Sequence, residues 1–85
     1  MNWKIELSNN AVKELKKLDN PVKKRIWEYL KNLDLQDPSH EIKKLKGNSN
    51  EYRLRIGDWR IKFVCDRPQR ICLITHIKHR RDVYD

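Results

Sequence analysis

The sequence predicts an α+β fold: a small antiparallel sheet with a helical hairpin packed on one face, in the order βααβββ. Three observations predict it. Apolar residues recur at helical spacing between residues 11 and 33, and at alternating spacing from residue 52 onward. Turn signals, Gly57-Asp58 and Asp66-Arg67-Pro68-Gln69, divide the second half at short intervals. No repeat, linker or low-complexity stretch interrupts the 85 residues, so 1–85 reads as a single domain. At that length the core is thin, burying roughly 60–65% of the unfolded surface.

The elements follow in order. Residues 2–7 alternate, with Trp3, Ile5 and Leu7 on one face of a half-buried strand. Ser8 stands where a helix cap belongs, and Ala11, Val12, Leu15 and Leu18 follow at helical spacing. Asn20-Pro21 restarts the pattern as cap and first helical residue. Val22, Ile26, Tyr29, Leu30 and Leu33 form the second apolar stripe, which Pro38 stops. From about residue 42 the period changes. Ile42 and Leu45 lie among lysines, Gly47-Asn48-Ser49-Asn50 makes a turn, and strands follow over 52–56, 59–65 and 71–77. The last is the most apolar and is expected to be central.

Parity sorts the side chains into two faces. Tyr52, Leu54, Ile56, Ile61, Phe63, Cys65, Ile71, Leu73 and Ile77 are expected beneath the helices. Arg53, Arg55, Arg60 and Lys62 then share the opposite face, joined by Lys78 and Arg80 if the last strand continues. Cys65 and Cys72 fall on opposite faces by this count, which disfavours a cross-strand disulfide.

Charge locates the function. Lys and Arg number 20 against 12 acidic residues, a net of +8. Residues 1–40 carry eight basic and six acidic side chains, and residues 41–85 carry twelve and six. The excess is in one half, so that half is expected to meet a polyanion. Guanidinium groups fork two hydrogen bonds to a phosphodiester, and their permanent charge suits a phosphorane-like transition state. Tyr84, four residues after Arg80, is close enough to return to the same rim, where guanidinium neighbours would favour its phenolate. Trp59 could stack on a base, but reads better as a partly buried strand-start residue.

Other chemistries find few parts. His76 and His79, three apart in an extended chain, point to opposite faces, so no metal site and no cofactor is expected. His40 stands alone, whereas His79 beside Arg80 could serve as an acid or base. Two glycines make no phosphate-cradling loop, and no carboxylate pair or Ser/His/Asp set assembles. No apolar run approaches the ~20 residues of a membrane span, and no signal-peptide pattern opens the chain. The expected location is the cytoplasm.

The run Lys44-Leu45-Lys46-Gly47, then Tyr52-Arg53-Leu54-Arg55-Ile56-Gly57-Asp58-Trp59-Arg60-Ile61, resembles the RelE/ParE superfamily of toxins from prokaryotic toxin–antitoxin pairs. The closing His79-Arg80-Arg81-Asp82-Val83-Tyr84 is similar to that family's terminal motif. The resemblance spans essentially the whole chain and implies a RelE-like, microbial-ribonuclease-like fold. It implies one of two activities. RelE-like toxins are ribosome-dependent endonucleases that cut mRNA in the decoding site, without a metal, by 2′-OH attack that leaves a 2′,3′-cyclic phosphate and a 5′-OH. ParE-like toxins poison DNA gyrase.

By position, Arg53 and Arg55 match basic residues of the RelE central strand, and Arg60 its transition-state arginine. Arg80 matches the arginine that assists the leaving group, and Tyr84 the tyrosine that activates the 2′-OH. Lys43, Lys44, Lys46, Lys62, Lys78 and Arg81 are expected to hold RNA or ribosome around that set. The resemblance also implies an acidic cognate antitoxin bound to a monomeric toxin, with the ribosome and mRNA as targets. A ParE-like gyrase inhibitor and a non-catalytic RNA- or ribosome-binding relative remain the alternatives.

Overall fold

Ser8 ends one element and starts another. Its backbone is extended, and its Oγ accepts a hydrogen bond from the Ala11 amide at 3.1 Å, satisfying a donor the helix start would otherwise orphan. The computed structural model describes residues 3–34, 40–45 and 50–82. Within them β1 (Lys4–Leu7) leads through Ser8 to α1 (Asn9–Lys16) and α2 (Asn20–Lys31). Then come β2 (Glu41–Lys44), β3 (Glu51–Ile56), β4 (Trp59–Asp66), β5 (Ile71–His79) and a 3-10 turn over Arg80–Asp82.

The α+β architecture agrees with the sequence reading, with differences of detail. The cap of α2 is Asp19 rather than Asn20, with Pro21 in the first turn, where its missing N–H costs nothing. The helix ends at Lys31, ahead of Pro38, which lies outside the described residues.

The sheet has five strands in the order β1-β5-β4-β3-β2, one more than expected. β2 has no apolar alternation to show, because three of its four residues are charged and only Ile42 is apolar and packed against the core. β1 runs parallel to β5, so the sheet is mixed, and β4 rather than β5 is its centre. A two-residue loop joins β3 to β4, with Gly57 at φ 55°, the left-handed region that glycine adopts without strain.

A bulge in β5 corrects the expected parity. Lys62 pairs with His76 while Phe63 pairs with Ile74, so Thr75 is an extra residue. Before it, Cys72 and Ile74 face the core; after it, Ile77 does. Ile71 and Leu73, expected inside, therefore face outward, and Leu73 is exposed. The same correction brings the cysteines together. Cys65 and Cys72 are directly paired, both buried and both reduced, with sulfurs 3.7 Å apart.

The core lies between the sheet and the helices. Leu54, Ile56, Ile61, Phe63, Ile74 and Ile77 pack against Ala11, Ile26, Leu30 and Leu33. Each large side chain buried here contributes about 1.5–3 kcal/mol. α1 also closes the edge of β5 beyond the end of β1. Ser8 donates its amide to the Ile74 carbonyl at 2.9 Å, and Asn10 Nδ2 donates to that of Thr75 at 2.9 Å. The Ile77 amide donates to Glu14 Oε1 at 2.8 Å. An edge that could pair with another chain is thereby occupied.

Candidate active site

The helices cover one face of the sheet and leave the other to solvent. On that open face the register aligns two cross-strand rows. Glu41, Arg55, Arg60 and Lys78 form one; Lys43, Arg53, Lys62 and His76 form the other. Six cations and one carboxylate thus occupy adjacent positions, although like charges directly opposite each other destabilise a ladder. An anion between them removes that cost.

Arg60 is at the centre of the cluster. Its Nη1 donates to the carbonyls of Gly57 at 2.8 Å and Trp59 at 3.0 Å, which uses two of its five N–H donors and fixes the fork. Its pKa lies below the ordinary arginine value. Desolvation is the first cause, followed by the positive fields of Arg55, Arg53 and Arg80, with Asp58 opposing them. The four guanidinium groups therefore act on one another across the strands. Arg80 is anchored to the same hairpin: its amide donates to the Asp58 carbonyl at 2.8 Å, and its Nε lies 3.6 Å from Asp58 Oδ1. Arg55 Nε lies 3.5 Å from Glu41 Oε2. Along the β2 edge a cleft of about 270 Å³ opens between Lys43, Arg53 and Arg55.

The other expected residues divide. Lys43 and Lys62 join the open face. Lys78 is in register with Arg60, but its ammonium is 2.7 Å from Glu14 Oε2 on α1. Lys44 pairs with Tyr52 on the helix side of the sheet, away from the cluster. Arg81 is exposed in the 3-10 turn, its amide donating to His79 Nδ1. Lys46 and Tyr84 lie outside the described residues.

The histidines separate as expected, with an unexpected consequence. His79 pairs with Trp59 and packs edge-on against its ring at 5.3 Å, while Trp59 is half-buried against the core. The imidazole in register with the cationic rows is His76, whose Nδ1 is 3.1 Å from Thr75 Oγ1. Alternation from the inward-facing Ile77 already puts it on that face, and the bulge changes only the residues before it. Sequence reasoning also missed Asp58 and Glu14; turn position hinted at the first, and nothing local marked the second. Among the described residues no three His, Cys, Asp or Glu side chains gather as a metal site.

Residues 5–84 match the family model described as the ParE toxin of type II toxin–antitoxin systems. The chain belongs to that family. It is 34% identical to a putative toxin RelE1 of Methanocaldococcus jannaschii, over 99% of this chain and 97% of the relative. RelE and ParE names thus meet in one toxin superfamily, in accord with the resemblance read from residues 44–61 and 79–84.

Solved toxins share the fold. The archaeal RelE–RelB complex of Pyrococcus horikoshii superposes with a TM-score of 0.79 at 23% identity, covering 98% of this chain and 100% of that one. The RelB–RelE antitoxin–toxin complex of Methanococcus jannaschii gives 0.69 at 28% identity, covering 94% and 95%.

Proposed function

We propose that this toxin-family chain is a metal-independent endoribonuclease that cuts mRNA in the ribosomal decoding site and so stops translation. The observation that carries the reading is the clustering of Arg53, Arg55, Arg60 and Arg80 around one point of an open sheet face. Such a cluster suits a phosphorane whose charge grows during reaction. The ribose 2′-oxygen bonds to phosphorus as the bond from phosphorus to the 5′-oxygen breaks. Arg53, Arg55 and Arg60 bind the scissile phosphate and stabilise the transition state, and Arg80 offsets charge on the departing oxygen. A guanidinium barely deprotonates near neutral pH. The proton for the leaving oxygen therefore comes from water or an imidazole, of which His76 is the one in register with the cluster. Tyr84 takes the 2′-OH proton, and Lys43, Lys46, Lys62 and Arg81 hold flanking phosphates.

The toxin is a monomer neutralised by an acidic antitoxin. Support comes from the net charge of +8 and from relatives solved as toxin–antitoxin complexes. It works in the cytoplasm, where ribosomes are; no described helix is long and apolar enough to cross a membrane.

A translation extract given the purified protein, with mRNA 5′ ends mapped afterwards, tests the reading. Cuts confined to translated codons are expected. The match to a ParE toxin model favours gyrase poisoning as the second reading. Intact mRNA together with trapped gyrase–DNA complexes would establish that one instead. For Tyr84, single-turnover cleavage on programmed ribosomes is decisive. Tyr84→Phe should slow the chemical step by roughly 10²–10⁴-fold, and a rate within about threefold of wild type removes it as the base.

A further inference from the structure

A second cleft, of about 380 Å³, lies between α2 and the start of β2 and is lined by Arg25, Glu28, Tyr29, Asn32 and His40. It is not isolated: His40 also borders the cationic cleft beside Lys43, Arg53 and Arg55. The two hollows therefore meet at one residue, anion-binding on one side and aromatic on the other. Tyr29 and His40 meet edge to face, with centroids 5.3 Å apart and planes at 75°. Edge-to-face packing leaves ring faces on which a third ring can lie.

Polar groups stand at the rim. Asn32 Nδ2 donates to the Glu28 carbonyl at 2.9 Å, so its Oδ1 and its other N–H remain for a ligand edge. Arg25 reaches across to the β3–β4 turn, where a Cβ on Gly57 would meet its Nη2 at 3.1 Å.

A ligand that fits both hollows has a phosphate joined through a short linker to a flat ring with hydrogen-bonding edges. We infer that the α2–β2 cleft is a nucleobase subsite: it takes one unstacked base of single-stranded RNA whose phosphate lies on Lys43, Arg53 and Arg55. Each cleft is near the lower end of the roughly 300–1,000 Å³ typical of ligand sites, a size suited to one nucleotide unit. Stacking between aromatic side chains and donors at a base edge is the usual way proteins read unpaired RNA. The inference rests on the ribonuclease reading, and it makes Tyr29, Asn32 and His40 residues that choose which base is held beside the cut.

The test is a titration of the isotope-labelled full chain, followed by amide chemical shifts. Four nucleoside 5′-monophosphates are compared with ribose 5-phosphate and inorganic phosphate. All six ligands should move the signals of Lys43, Arg53 and Arg55. Only the four nucleotides should move Tyr29, Asn32 and His40, and not equally. Tyr29 packs partly against the core, so Tyr29→Ala is checked by thermal melting and accompanied by His40→Ala and Asn32→Ala. Loss of one base–aromatic stack should weaken nucleotide binding by about 5- to 150-fold, with phosphate binding unchanged.

Nucleotide and phosphate spectra that move the same signals overturn the subsite. Ribosomal cleavage accompanied by no nucleotide-specific shift on α2 also overturns it, while leaving the ribonuclease reading in place. Nucleotide-specific shifts on α2 without cleavage support the subsite and overturn the cleavage reading.

Discussion

Arg60 spends two of its hydrogen bonds on the hairpin beneath it and keeps the rest for a ligand, under repulsion from Arg53, Arg55 and Arg80. Removing it relieves that repulsion. Arg60→Ala should therefore melt no lower than wild type by more than a degree or two, yet lose roughly 10²–10³ of cleavage rate, the usual cost of one transition-state donor. A large fall in melting temperature would mark the residue as structural. The cysteines give the opposite case, groups placed where they cannot react. Burial, with the Cys65 thiol alongside, pushes Cys72 up to about 12, and burial raises Cys65 as well. The thiolate is the reactive form, so alkylation at pH 8 should proceed only at the rate of unfolding and accelerate in denaturant. Rapid labelling of the native chain would contradict the burial. At this scale Arg53, Arg55, Arg60 and Lys62 were legible from alternation alone. The place of Lys78 on that face was legible too, but its ion pair was not, because the carboxylate that takes its ammonium lies 64 residues earlier in the chain, at Glu14. Nor was Lys44, whose side depends on the pairing of β2.

At the scale of elements, Glu14 joins α1 to β5 through the Ile77 amide and Lys78. Burial alone would raise its pKa, but the hydrogen bonds from Lys78 and Ile77 outweigh that and leave it below the usual carboxylate value. A depressed carboxylate contributes stability above its unfolded pKa of about 4.3, and that contribution disappears as pH falls through the lower folded value. Glu14→Gln should lose about 1–3 kcal/mol at pH 7, where the Ile77 amide faces a weaker acceptor. The gap between variant and wild type should narrow in melts taken below pH 4. A constant gap would assign Glu14 a packing role only. The β3–β4 turn offers a second test. At φ 55°, with Arg25 where a side chain would go, Gly57→Ala should cost about 1–2 kcal/mol. It should also slow cleavage by shifting the carbonyl that holds Arg60. Both helices and four of the five strands were legible because each repeats its own period, and the turns at 57–58 and 66–69 because of their residue types. The charged β2 and the Thr75 bulge were not, since a partner strand specifies the one and cross-strand register the other.

For the molecule as a whole, the open face should govern binding through salt. Each phosphate neutralised on a single strand contributes about −0.7 to the slope of log affinity against log salt, so four contacts give about −3. Arg60→Ala should make the slope shallower by about one contact, and a salt-independent affinity would remove the electrostatic basis of the site. The sheet order carries one more consequence, in time rather than space. Lys4 pairs with Ile71 and Leu7 with Ile74, so the first strand closes on the last. A chain made from its N-terminus produces β1 and both helices long before a sheet exists to receive them. Contacts between such distant segments form late and slowly. Arg80 reaches the hairpin that holds Arg60 only once β5 is in place. A growing copy is thus without a finished cationic cluster throughout most of its own synthesis, and the ribosome making it handles an open polymer until β5 has been added.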